Sequence, residues 1–453
     1  MMKAIYSGVS DMRRDIVHEG SEQLTYEIRE IVAVADALKK LGVEITWENI
    51  GDPIQKGEKL PQWIKDIVVR LVSDDRSYAY VATQGVPATR EFLAQEVNKR
   101  GGYQITKDDI VFFNGLGDAV AKVFNFMKRE ARVIGPSPAY STHSSAEAAH
   151  SGYDHLTYEL DPKNNWMPDL DDLESKIRYN DSIAGILLIN PDNPTGAVYP
   201  REVLEEMVDI ARRYKVFMIC DEIYGNLVYD THKTASLSEV IEEIPGIALR
   251  GISKEVPWPG SRCGWIEVFN QDKLNFKRYM KSLINAKMLE VCSTSLPQFA
   301  IPHILGDPRY QENLQRRRAM YAARAEEAWK FFSNIDGVIV NKPQGAFYMT
   351  VLFEDHVLND RQTLPIPDPK VRKFIEDKVK GVEVDKRFVY YLLGATGICV
   401  VPLTGFCCSK KGFRLTLLEM DDAKRTWTWQ TIVDSIRTYI NSTAKVAASS
   451  RSV

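Results

Sequence analysis

"AGILLINPDNPTGAVYPREVLEEMVDIARRYKVFMICDEIY", residues 184–224, holds two short apolar runs with an amphipathic stretch between them. The runs "AGILLI" and "VFMIC" read as buried strands, and "PREVLEEMVDIARRYK" as a helix joining them. The same apolar punctuation recurs on either side, in "DIVFFNG" (109–115), "ARVIGPSP" (131–138) and "IALRGIS" (247–253). Strands alternating with helices predict an α/β fold, a largely parallel sheet with helices on both faces. Ligands of such sheets bind in the crevice at the carboxyl ends of the strands. Here each run is followed at once by polar, Gly- or Pro-rich residues: "NGLGD", "PSPAY", "NPDNPTG", "DEIY" and "SKEVPWPGSR".

Outside this region the pattern changes. "LTYEIREIVAVADALKKLG" (24–42) has helical spacing and stops on Gly42, and "EITWENIGDPI" (44–54) is strand-like. Beyond about residue 310 come a long Arg- and Ala-rich helical stretch, "NLQRRRAMYAARAEEAWKFF", and then a strand, turn and strand in "VIVNKPQGAFYMTVLF". These features predict a second, smaller α+β domain. The expected division is an N-terminal arm and part of the small domain over 1–59, a large domain over 60–309 and the small domain over 310–453. The polar, Pro-rich segment around 354–370 reads as an inserted loop, and the tail "STAKVAASSRSV" as frayed. Phe388–Ser409 is uncharged and long enough to raise the question of a membrane span. Gly394, Gly397, Pro402 and Gly405 interrupt it, so a buried strand running into a turn is expected instead.

Composition excludes several classes. Hydrophobic residues make up 44% and charged residues 26% of the 453, with a net charge of −3, so neither nucleic acid nor an anionic membrane is an expected partner. The basic run "RRRAM" (316–320) reads as the solvated face of a helix. Six scattered cysteines form no C-x-x-C pair, and no His stands at ligand spacing, so no metal site or disulfide framework is expected. Reduced thiols and an N-terminus without the apolar core of a signal peptide point to the cytoplasm.

Several residues at the strand ends carry chemistry. Lys254 follows "IALRGIS"; most lysines are surface charges, but the strand before it and Pro257, Trp258 and Pro259 after it would desolvate the amine, as a Schiff-base lysine needs. Arg262 offers a planar fork to a phosphate or carboxylate. Asp221 ends "VFMIC" and is either a helix cap or a partner for a protonated ring nitrogen. Tyr224 presents a phenol beside it. "NPDNPTG" is a turn whose amides could also donate to a ligand, and "NGLGDA" (114–119) a Gly-containing turn opening a helix, a phosphate cradle in outline.

The order of these motifs is more specific than any of them singly. Tyr80, Gly85 and Arg90 in Y-x4-G-x4-R, then NGxGxA, PxPxY, NPxNPTG, DExY and SK-x7-R, resemble the class I/II aminotransferases of pyridoxal-phosphate fold type I, with their aspartate-aminotransferase-like fold. The resemblance spans about Leu24 to Asp422. Within the family, "LTYEIR", "PDLDDLESKI", "INPDNPTGAVY" and "FRLTLLEMDD" are similar to the alanine (glutamate–pyruvate) aminotransferase-like branch.

The resemblance implies a role for each site residue. Lys254 binds pyridoxal 5'-phosphate covalently and moves the substrate proton. Arg262 and the backbone at Leu116 and Gly117 hold the phosphate. Asp221 pairs with the pyridine nitrogen, Asn193 and Tyr224 bond the phenolic oxygen, and Tyr140 stacks on the ring. Tyr80 reaches the phosphate of a neighbouring subunit, which implies a homodimer with shared sites. Arg414 binds the α-carboxylate of the substrate, for which the residues alone leave a solvent-facing strand-edge arginine as the alternative. The main chain of Gly51 lies against the substrate.

The implied activity moves an amino group from an L-amino acid, alanine or glutamate, to a 2-oxo acid, pyruvate or 2-oxoglutarate. A carbon–sulfur β-lyase on the same fold would use the same residues. A cofactor-sensing regulator would need an N-terminal DNA-binding domain, and a dead-site binding protein would not keep Lys254, Asp221 and Arg414. The chain departs from the family pattern at Gly251, where Ser or Thr often serves as a phosphate ligand, and at Ser141, Thr142 and His143. The last is expected either near a substrate side chain or at the surface.

Overall fold

The computed structural model describes residues 16–18, 20–24, 27–229 and 232–442. The opening stretch folds as read. Strand Ile183–Ile189 leads to helix Arg201–Tyr214 and back to strand Phe217–Asp221, which pairs in parallel with the first through Ile189 and Asp221. The helix buries Leu204, Met207, Val208 and Ala211, one stripe at intervals of three and four. It ends on Lys215 in the left-handed conformation (φ 56°).

These strands lie inside an eight-stranded sheet. From edge to edge the order is Ile110–Phe113, Gly264–Phe269, Gly246–Gly251, Phe217–Asp221, Ile183–Ile189, Arg132–Ser137, Thr157–Asp161 and Met167–Pro168. The central pairings are parallel; Gly264–Phe269 and the short Met167–Pro168 run against their neighbours. Both faces are covered, so alternate residues of one strand enter different cores. Ile186 and Leu188 join one cluster with Met218 and Ala248, whereas Leu187 joins Val111, Ile219 and Leu249 on the other side. That double burial is why the strands read as unbroken apolar runs. Truncating Leu187 to Ala would cost about 2–5 kcal/mol.

A smaller domain is built on a four-stranded antiparallel sheet, in the order Val338–Val340, Tyr348–Phe353, Gly412–Thr416, Val401–Pro402. Near the N-terminus, Thr46–Trp47 pairs in parallel with Ile398–Cys399. The long helix Pro308–Phe332 starts on Asp307, whose carboxylate accepts the Arg309 N–H at 2.9 Å, with Pro308 in the first turn.

Two expectations need correction. The uncharged stretch from Phe388 begins inside the helix Val384–Thr396, closed by Gly397 at φ 75°, and only then enters short strands. Phe388 to Gly394 are all buried, so this part of the helix shows no polar face to betray its period. No helix among the described residues is long and apolar enough to cross a membrane. "RRRAM" is not one solvated face either: Arg316 is exposed, but Arg317 is fully buried. The Pro-rich segment before Pro369 is a loop without helix or strand, packed down through buried Gln362, Leu364 and Ile366, with the Gln362 amide donating to the Val357 carbonyl at 2.9 Å.

The helix expected from Leu24 appears as Glu27–Lys40, followed by Gly42 at φ 91°. Thr25 and Tyr26, the tail from 443 onward and most of the first twenty positions lie outside the described residues.

Candidate active site

A cavity of about 610 Å³ opens at the carboxyl ends of the parallel strands. Gly51, Leu116, Gly117, Tyr140, Asn193, Asp221, Tyr224, Lys254, Arg262 and Arg414 all line it. Tyr80 does not; it stands 82% exposed on the surface. No residue of the segment 354–370 lines the cavity.

One end of the cavity is shaped for an anion. Gly115 (φ 84°) precedes the helix Leu116–Asn125, and a Cβ on it would stand 2.4 Å from Arg262 Nη2. Glycine is needed there twice over, for its backbone conformation and for the close approach of the guanidinium. A Cβ on Gly117 would meet nothing within 4 Å, so the first turn of the helix faces open space. Free N–H groups of a helix start beside an arginine fork are the groups that can receive an anion. Arg262 itself takes a left-handed conformation (φ 47°) after the tight turn Pro259–Ser261. Gly251 is packed in: a Cβ would lie 3.0 Å from the Cys263 carbonyl and 3.1 Å from Ile223 Cδ1. The strand contact therefore resists the serine or threonine often found there, while Ser253 lines the cavity instead.

At the floor, Asp221 is buried. Its Oδ2 lies 2.8 Å from His143 Nε2, and its Oδ1 accepts the Ile223 N–H at 3.1 Å. His143 is thus not a surface residue, and it lines the cavity. It is 1% exposed and spent on Asp221, one helical turn from Tyr140, whose ring meets it edge-on at 6.3 Å. The second imidazole nitrogen, Nδ1, is buried without a partner among the described residues.

The opposite wall carries the cations. Arg414, 2% exposed, donates from Nη1 to Asn193 Oδ1 at 3.1 Å and from Nη2 to the Asn49 carbonyl. Its Nε is buried and unpartnered among the described residues. The solvent-facing alternative is thereby removed. The Lys254 amine donates to the Gly51 carbonyl at 2.6 Å. Tyr348, which sequence reading passes over, lies under the Arg414 guanidinium (4.5 Å to the ring centre) and shares a 2.9 Å hydroxyl contact with Tyr224. Burial pushes the Tyr224 phenol well above its ordinary value, and the neighbouring Tyr348 adds to it, so Tyr224 stays a donor. Arg29 and Val32 of the helix Glu27–Lys40 complete the rim.

Residues 48–427 match the model of the family aminotransferase class I and II. The chain belongs to that family. This aminotransferase is 56% identical over 430 residues to an uncharacterized aminotransferase of Methanocaldococcus jannaschii, covering 95% of this chain and 100% of that one. It is 32% identical over 333 residues to the glutamate–pyruvate aminotransferase of Escherichia coli (strain K12), covering 72% of this chain and 80% of the relative.

Among solved structures, an Escherichia coli aminotransferase superposes with a TM-score of 0.81 at 25% identity, covering 95% of this chain and 99% of that one. A double mutant of the Thermus thermophilus aspartate aminotransferase gives 0.75 at 21% identity, covering 93% and 100%. The latter speaks for the fold alone, and the aminotransferase has that fold: a mostly parallel sheet with helices, plus a small antiparallel-sheet domain.

Proposed function

We propose that this aminotransferase uses pyridoxal 5'-phosphate to move the amino group of L-alanine or L-glutamate to pyruvate or 2-oxoglutarate, as a cytoplasmic homodimer. The observation that carries the reading is the convergence of Lys254, Asp221 and Arg414 on one cavity that is also lined by Arg262 and the helix start at Leu116 and Gly117. The choice of amino acid rests on similarity to the Escherichia coli glutamate–pyruvate aminotransferase and, at 28% identity, to an alanine aminotransferase of Mycobacterium tuberculosis.

The residues present fit the cofactor. The helix start at Leu116 and Gly117, with Arg262, would hold its phosphate. Asp221, oriented by His143, would face its ring nitrogen; Asn193 and Tyr224 would bond its phenolic oxygen, and Tyr140 would cover the ring. When bound, pyridoxal phosphate supplies the electron sink that makes the substrate α-proton acidic.

The chain does the rest. Arg414 binds the α-carboxylate, exchanging its contact with the Asn49 carbonyl for a bidentate pair that also uses its unpartnered Nε. That anchor, with Asn193 and the Gly51 main chain, turns the α-hydrogen toward Lys254. The Lys254 Nζ takes that proton as base and returns it to the adjoining carbon as acid. Tyr80, exposed in one protomer, would reach the phosphate in the site of a second. The relatives above are named as transaminases, and no feature of the cavity favours elimination from the β-carbon.

The test is an exchange assay with L-alanine or L-glutamate as donor and 2-oxoglutarate or pyruvate as acceptor. Initial-rate lines that run parallel as both substrates vary, with alanine and glutamate preferred over aspartate and aromatic donors, are expected. Turnover confined to aspartate or aromatic donors would refute the substrate assignment and leave the transaminase standing.

A further inference from the structure

The side chain and the main chain of Lys254 are held from opposite directions by one short segment. The amine donates to the Gly51 carbonyl at 2.6 Å. The carbonyls of Lys254 and Glu255 both accept from Nη1 of Arg317, at 2.7 and 2.8 Å. The other edge of that guanidinium, Nε and Nη2, forks onto the two Glu58 oxygens at 2.5 and 3.0 Å. The Tyr321 hydroxyl gives Glu58 another bond at 2.8 Å.

Glu58 closes the loop that Gly51 begins. Its N–H donates to the Pro53 carbonyl at 2.9 Å, and within the loop Lys56 reaches Glu48 at 2.7 Å. Glu255 is fixed on its side chain as well, accepting the Asn226 N–H at 2.7 Å and its amide at 2.8 Å.

A buried guanidinium needs a carboxylate to offset its desolvation, and Glu58 supplies it. The Nη1 contacts are additional and aim at the main chain of the lysine in the cavity. We propose that Arg317 is a positioning residue for Lys254, holding the 254 and 255 carbonyls against the Gly51 loop and so setting where the Lys254 amine stands. The inference rests on the reading that Lys254 carries the cofactor and moves the substrate proton.

Arg317→Lys keeps the charge beside Glu58 but replaces the planar fork with a point donor that cannot serve both edges. The loaded protein is titrated by the visible absorbance of its bound pyridoxal phosphate. Single turnovers with L-alanine then give a rate constant and an apparent Kd. In Arg317→Lys the titration midpoint is expected to move by at least about half a pH unit as the amine changes surroundings. The rate constant is expected to fall at least about tenfold, with the apparent Kd within about threefold, as a misplaced base requires. Glu58→Gln should shift both readouts in the same direction by less, and Arg316→Lys, the exposed neighbour, should shift neither.

A wild-type midpoint and rate in both Arg317→Lys and Glu58→Gln, with only a lower melting temperature, would overturn the proposal and leave Arg317 a structural residue. If Arg317→Lys does not fold, Glu58→Gln decides on the same two readouts. A wild-type protein that shows no visible band would instead overturn the functional reading, and this inference with it.

Discussion

Gly51 shows how much one residue carries in this site. Its carbonyl takes the Lys254 amine, and a Cβ on it would stand 2.0 Å from the Tyr348 hydroxyl. Gly51→Ala is therefore expected to push Tyr348 off Tyr224 and out from under Arg414. Overpacking of this kind costs about 1–3 kcal/mol, and kcat/KM for the amino donor should fall by at least about tenfold. An alanine variant with wild-type kcat/KM would contradict the assigned packing.

The residues that sequence exposes and those it hides differ in a physical way. Asp221 and Lys254 are legible because each ends or follows an apolar run, and a charge at that place is conspicuous. His143, Tyr348 and Arg317 are not, because their work lies in contacts distant along the chain. Tyr348 meets Tyr224 across 124 positions, and Arg317 meets Glu58 across 259. No local pattern marks either pair.

Among the elements, the turn after strand Ile183–Ile189 links burial to pH. Burial pushes the Asp192 carboxyl up to about 7, against the opposing bonds from Thr195. An acid raised by folding holds its proton more tightly in the folded state. Its contribution is most favourable below its ordinary range, is lost as pH rises toward about 7, and is flat above that. Asp192→Asn keeps an acceptor for the Thr195 N–H and removes the titration. The variant should lack this part of the decline, which amounts to at most about 1.4 kcal/mol per pH unit inside the window. Denaturant unfolding at pH 5 and pH 8 checks it; equal losses in the two proteins would contradict the assignment.

Elements with one apolar stripe, such as Arg201–Tyr214, are readable from spacing. Val384–Thr396 is not, since from Phe388 to Gly394 burial on all sides removes the polar half of its pattern and leaves a run that imitates a strand or a span.

For the whole molecule, the α/β layer and the antiparallel-sheet domain follow from the order of apolar runs, whereas the way the N-terminal segment joins the latter does not. That joining is made by buried charge: Glu48 and Glu419 on Lys56, and Glu58 on Arg317. Such pairs add little net stability but fix register, because a shifted partner leaves a charge buried alone. Arg414 reaches Asn193 of the α/β layer as well as the Asn49 carbonyl, which places its guanidinium and Lys254 around one space.

The central claim is that Lys254 is the residue that binds pyridoxal phosphate. Borohydride reduction of the cofactor-loaded protein, followed by peptide mapping, tests it most directly. The expected result is one modified peptide carrying the label on Lys254, with none in Lys254→Ala. Label on a different lysine, or an equal yield from Lys254→Ala, would contradict the account.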